Sequence, residues 1–107
     1  VGGAAAAAVG ERLARLGARV QVLVVTHSPQ VAARGALHWR ILKTGDATAS
    51  RTEVEMLSPD ARTLEIARML AGVKVTQEAR AAAESLLAAD ASTVPKGRRP
   101  RAKAAQP

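Results

Sequence analysis

An α/β fold with an incomplete sheet is what these 107 residues predict. Three features carry that expectation. Helix-forming runs alternate with a nearly continuous β-branched run, "VQVLVVT" at residues 20–26, the pattern of a strand covered on both faces. Two Ser-Pro pairs, at 28–29 and 58–59, have the form of a helix N-cap followed by proline in the first turn. Hydrophobic residues make up 48% of the chain, yet Trp39 is its only aromatic, so a core must be packed from aliphatic side chains.

In chain order, residues 4–16 have helix-forming composition, with Val9, Leu13 and Leu16 recurring on one stripe and Gly17 placed to end the helix. The buried strand at 20–26 follows. Ser28 and Pro29 then start a short helix that runs to about Arg34 and stops at Gly35. "LHWRILKT" and "RTEVEML" flank "GDATAS" and predict a β-hairpin. Ser58 and Pro59 open the next helix, whose apolar face holds Leu64, Ile66, Ala67, Met69 and Leu70 and which ends at Gly72. Thr76 caps a last helix through Leu87 that carries Ala79, Ala83, Leu86 and Leu87 on one side.

A single strand buried on both faces needs ladder partners on both edges and cover on both sides, which one hairpin and three helices do not supply. The expectation is therefore the C-terminal end of something larger, and a first residue of Val points the same way.

Composition removes several function classes. Without cysteine there is no disulfide framework, thiolate metal site or catalytic thiol. No apolar run approaches a bilayer span and no basic leader precedes one, so a cytoplasmic chain with no membrane partner is expected. The net charge of +7 is concentrated at one end: Lys96, Arg98, Arg99, Arg101 and Lys103 lie among residues 91–107 with no acid, leaving eleven bases against nine acids elsewhere. Residues 1–90 thus read as the folded portion and 91–107 as a basic disordered tail, able to attract a phosphate backbone but lacking aromatics to read a base.

Among candidate chemical groups, His27 stands where a buried strand ends, the edge at which open α/β sheets bind ligands. Its imidazole either hydrogen-bonds a phosphate oxygen or attacking water, or caps the turn that follows. Gly2 and Gly3 precede a helix and leave room for backbone N–H groups to approach a phosphate, although no Walker A loop occurs in the chain. His38 reads as a structural histidine, and no ligand set suggests a metal. Glu53 and Glu55 read as a solvated strand face. Arg62, Glu65 and Arg68, spaced by three, read as a solvent-facing row of ion pairs.

Four stretches taken together, "VGG" with "AVGERLARL", "VQVLVVTHSPQVAARG", "EIARMLAG" and "VTQEARAAAESLL", closely resemble the C-terminal end of the RecN family of bacterial DNA-repair proteins, over about residues 1–87. That family lies in the SMC-like branch of the ABC-type ATPases, so the resemblance implies the C-terminal part of an ABC/SMC-type P-loop ATPase head. It implies that Gly2 and Gly3 belong to a D-loop crossing to a second head in a homodimer, and that His27 is the switch histidine reaching the γ-phosphate or the attacking water. ATP and Mg²⁺ would be the cofactors of the complete head, and the partners would be the remainder of that head, the second head and DNA. The function implied is double-strand-break repair by recombination.

The P-loop, Walker B acids, signature motif and coiled coil of that family are absent from these residues. This chain alone is expected neither to bind ATP tightly nor to hydrolyse it. Two other readings stand beside this one: a non-enzymatic module that binds nucleic acid or a partner through its basic tail, and a degenerate remnant without activity.

Overall fold

The computed structural model describes residues 2–91, so the basic residues Lys96, Arg98, Arg99, Arg101 and Lys103 lie outside the described residues. The elements run α1 (Gly3–Gly17), α2 (Pro29–Ala32), β1 (Trp39–Asp46), β2 (Ala49–Met56), α3 (Pro59–Ala71) and α4 (Gln77–Ala91).

The caps legible in the sequence are formed where the chemistry is local. Ser58 Oγ accepts a hydrogen bond from Ala61 N at 3.2 Å and Thr76 Oγ1 accepts one from Ala79 N at 3.1 Å, each satisfying an N–H that α3 or α4 would otherwise leave orphaned. Gly72, at φ +80°, ends α3 in a backbone conformation that a side chain would strain. At Ser28 the expected side-chain cap is missing: its hydroxyl donates to Gln30 Oε1 at 3.1 Å instead. Gly17 is the last residue of α1 and not its stop, since Ala18 closes the helix in ordinary right-handed geometry.

α3 and α4 supply the core. Ile66, Ala67, Ala79 and Ala83 are buried, with Met69, Leu70, Leu86 and Leu87 packed around them, and Ala33 brings the segment after α2 onto the same cluster. Ile66 is the largest fully buried side chain, and truncating it to alanine would cost about 2–5 kcal/mol. Leu64 departs from the expected apolar face and remains 45% exposed.

β1 and β2 form a two-stranded antiparallel sheet in which Trp39 faces Met56 and Ile41 faces Val54. The turn is tighter than the sequence suggested, with Asp46 opposite Ala49. Asp46 Oδ1 accepts from Thr48 N at 3.0 Å, Thr48 Oγ1 at 2.6 Å and Ala49 N at 3.0 Å, and these bonds hold its carboxyl below the usual carboxylate range. Gly45 is obligatory in this turn: at φ +104°, a Cβ would lie 2.0 Å from the Ala49 carbonyl oxygen.

Residues 20–26 correct the expected buried strand. They belong to no ladder, and Leu23 and Val25 are largely exposed. The reason is pairing: the two strands among the described residues pair with each other, and neither pairs with this segment. The observed fold is accordingly mixed α and β with a two-stranded sheet.

Candidate functional site

His27 is exposed at the end of the unpaired segment, two residues before α2. The backbone on either side is held by short-range bonds. Ser28 N donates to Thr26 Oγ1 at 3.0 Å, and α2 opens with Ala32 N donating to the Ser28 carbonyl at 2.9 Å. The imidazole therefore projects from a structured turn.

α1 lies beside this turn because its small residues allow it. Ala6 and Gly10 are its buried positions, not the Val9, Leu13 and Leu16 stripe, whose Val9 and Leu16 are exposed. A Cβ at Gly10 would stand 3.0 Å from Arg34 Cγ, 3.1 Å from the Gln30 carbonyl oxygen and 3.3 Å from Val31 Cα, so α1 and the backbone of α2 approach closely here. Gly3 lies on the same face of α1 as Gly10, two turns earlier, with the Gln30 amide nitrogen 3.6 Å from where its Cβ would be. The structure thus brings Gly3 and the turn bearing His27 to the same end of the α1–α2 pair. Gly2 accepts the first helical hydrogen bond, from Ala6 N at 3.1 Å, and no side chain caps α1.

The far end of α2 is anchored twice. Arg34 Nη2 reaches Glu11 Oε1 on α1 at 3.3 Å. From α3, Arg62 Nη2 donates to the carbonyl oxygens of Ala32 and Ala33 at 3.1 Å and of Gly35 at 2.6 Å. A cation at the C-terminal carbonyls of a helix is favoured both by hydrogen bonding and by the helix dipole.

The neighbouring row of charges is only partly solvent-facing, which corrects the expectation: Arg68 is exposed, but Arg62 is half-buried and Glu65 turns inward. Glu65 is 5% exposed. Arg68 donates to it through Nε at 2.9 Å and Nη2 at 2.5 Å, and Arg40 of β1 approaches it at 3.6 Å while binding Glu55 at 2.8 Å. The Arg68 bonds, outweighing the cost of burial, hold the Glu65 carboxyl below its ordinary range. Glu55 thus shares the sheet face turned toward α3 and is not simply solvated. His38, half-buried beside this network, is pushed below the ordinary imidazole value by loss of water and by the Arg62 charge, and its Nδ1 is buried with no hydrogen-bond partner among the described residues. A cavity of about 420 Å³ opens beside it, between Leu37, Leu57, Thr63 and Leu87.

No group of three or more His, Cys, Asp or Glu side chains among the described residues could hold a metal ion. Nor is any helix among them long and apolar enough to cross a membrane. Spacing in the sequence marked His27, Gly2 and Gly3, but not Gly10 or Arg62. Gly10 in an Ala-rich helix and an arginine on a charged stripe carry no signal until the packing is known.

No family model matches the chain. Over 87 residues, 81% of its length, it is 48% identical to the DNA repair protein RecN of Xylella fastidiosa, 48% identical to that of Streptomyces coelicolor and 41% identical to that of Rickettsia bellii. It spans only 15–16% of the length of these relatives.

Proposed function

From the premise that this chain carries a RecN-type segment over four-fifths of its length, we propose that it forms the C-terminal part of an ABC/SMC-type ATPase head acting in DNA double-strand-break repair by recombination. The observation that carries the reading is the 48% identity to RecN over 87 of the 107 residues, a length that takes in the turn bearing His27 wherever the match begins. The unpaired, β-branched residues 20–26 support it, since an apolar run of strand-forming residues without a ladder suits a sheet whose strands come from the remainder of the head.

In that head His27 is the switch histidine, and Gly2 and Gly3 belong to the D-loop facing a second head. The residues here fit part of such a site. An exposed imidazole after a strand can donate to or accept from a phosphate oxygen or a water, and the uncapped first turn of α1 presents backbone N–H groups toward the same end. ATP and Mg²⁺ supply the phosphoryl group and the charge neutralisation of such chemistry. The task left to this chain is to hold the imidazole at a fixed place and to meet the partner head.

The test is ATP turnover by the full-length protein. His27→Ala lowers kcat by about 10²-fold or more, the range of a lost general acid–base or positioning contact, while removal of residues 92–107 leaves turnover in place. An unchanged kcat in His27→Ala overturns the switch assignment. A loss of function on charge reversal at Arg98, Arg99 and Arg101 alone would favour a basic binding module instead.

A further inference from the structure

α2 is a four-residue helix with His27 just before its first turn and a guanidinium against its last carbonyls. Such a helix has no stability of its own, because one turn closes too few hydrogen bonds to offset the residues it orders. Its orientation must come from what holds its two ends and its flank. Gly10 fixes the flank by close backbone approach to Gln30 and Val31, and Arg34 reaches Glu11. Both contacts tie α2 to α1. Arg62 ties this segment to α3, and it does so through three carbonyls of one short stretch.

We propose that Arg62 is a positioning residue for His27: by gathering the carbonyls of Ala32, Ala33 and Gly35 onto one guanidinium nitrogen, it sets the angle of α2 and so the place of the imidazole at the other end. This rests on reading His27 as the switch histidine. Arg62 is half-buried, and the carbonyls it binds lie five to eight residues beyond His27, so its effect on the imidazole runs through α2. All three carbonyls converge on Nη2, whose two N–H groups are shared among them, and a lysine ammonium in its place keeps the charge and brings three rotatable donors. α3 is the helix that carries Glu65 and therefore the link to the hairpin through Arg40. Arg62 consequently makes the His27 turn sensitive to how the C-terminal elements are seated.

The experiment is steady-state ATP hydrolysis by the full-length protein carrying Arg62→Ala, Arg62→Lys, His27→Ala, and the double substitution His27→Ala with Arg62→Ala, with thermal melting of each. The expected result is a kcat reduced about 10-fold to 100-fold in Arg62→Ala, the scale of a displaced catalytic group, with KM for ATP within about twofold of the parent because the nucleotide is bound elsewhere. Arg62→Lys recovers a large part of kcat. The double substitution is no slower than His27→Ala alone, since an imidazole that is absent cannot be misplaced. Multiplying losses in the double substitution overturn the proposal and assign Arg62 a general structural role, as does a kcat loss in Arg62→Ala that only tracks the fraction of unfolded protein. If His27→Ala keeps full activity, the switch reading has failed by itself, and Arg62 has no imidazole to position.

Discussion

At the scale of single residues, the ionisable pair Glu65 and His38 makes the stability of this chain depend on pH in one direction through two windows. Each group has a folded-state pKa below its ordinary value: Glu65 mainly through its hydrogen bonds to Arg68, His38 mainly through loss of water. The unfolded chain therefore binds more protons than the folded one wherever pH lies between the two values, and stability rises with pH there. For His38 the contribution is complete above about pH 6.5 and is lost as pH falls through the lower folded value. For Glu65 it is complete above about pH 4.5 and is lost further down. Urea midpoints measured from pH 8 to pH 3 should fall in two steps, His38→Gln removing the upper and Glu65→Gln reducing the lower, to which the Asp46 carboxyl also contributes. At neutral pH Glu65→Gln should also cost about 1–3 kcal/mol, because Arg68 loses a charge-assisted partner. A midpoint that climbs as pH falls from 7 to 5 would rule out the His38 contribution. None of this was legible in the spacing of Arg62, Glu65 and Arg68. A period of three says that the residues share a stripe of helix, but it cannot say that a hairpin from earlier in the chain will lie over that stripe.

At the scale of elements, legibility follows the distance over which the controlling interaction acts. Ser58 and Thr76 cap helices with partners three residues away, and both starts could be read directly. The run at 20–26 has the right residues for a strand, but ladder formation needs another strand, and β-propensity cannot create one. α1 shows the same limit in a helix. Its large apolar stripe suggested a core-facing side, yet Ala6 and Gly10 face inward because what α1 meets is the backbone of α2. That contact can be tested at Gly10. In Gly10→Ala the new methyl is tight against Gln30 O, at 3.1 Å, but alanine returns about 1 kcal/mol of helix propensity, so the net change should be small. Gly10→Val has no such offset, and its branches must push α2 away or unwind α1, at about 1–3 kcal/mol. Thermal melting of the two variants should separate them clearly. Equal melting temperatures for valine and parent would mean that α1 and α2 are not in contact. Because the same displacement would move the His27 turn, Gly10→Val in the full-length protein should slow ATP turnover where Gly10→Ala does not.

At the scale of the molecule, the fold leaves more apolar surface open than its small core encloses. One face of the hairpin carries Trp39, Ile41, Val54 and Met56 as cross-strand neighbours, all at least half exposed, and a cavity of about 240 Å³ lies between Trp39, Val54 and Met56. Residues 20–26 add Leu23 and Val25, 78% and 84% exposed. Scattered exposed leucines need no explanation, but a contiguous apolar sheet face in a chain that also leaves a β-branched run unpaired marks a surface made to be covered. The composition was a partial guide here: a chain with 48% hydrophobic residues and a single aromatic was bound to depend on extended aliphatic surfaces, although which of them stay open follows only from the three-dimensional arrangement. Two covers are possible in solution, the rest of an ATPase head or further copies of the same chain, and the concentration dependence of mass distinguishes them. Expressed alone, the chain should associate as its concentration rises, since each open edge can pair with another. Val25→Lys together with Ile41→Lys should shift it toward monomer, by placing charge on the unpaired segment and on the open sheet face. In the full-length protein the same two substitutions should lower the melting temperature instead, because there the charges would be buried without partners. Sedimentation equilibrium of the isolated chain and melting of the full-length protein give the two readings. An isolated chain that stays monomeric at high concentration, together with a full-length protein indifferent to both lysines, would show that these surfaces are solvent-facing in the complete molecule and that the head does not close over them.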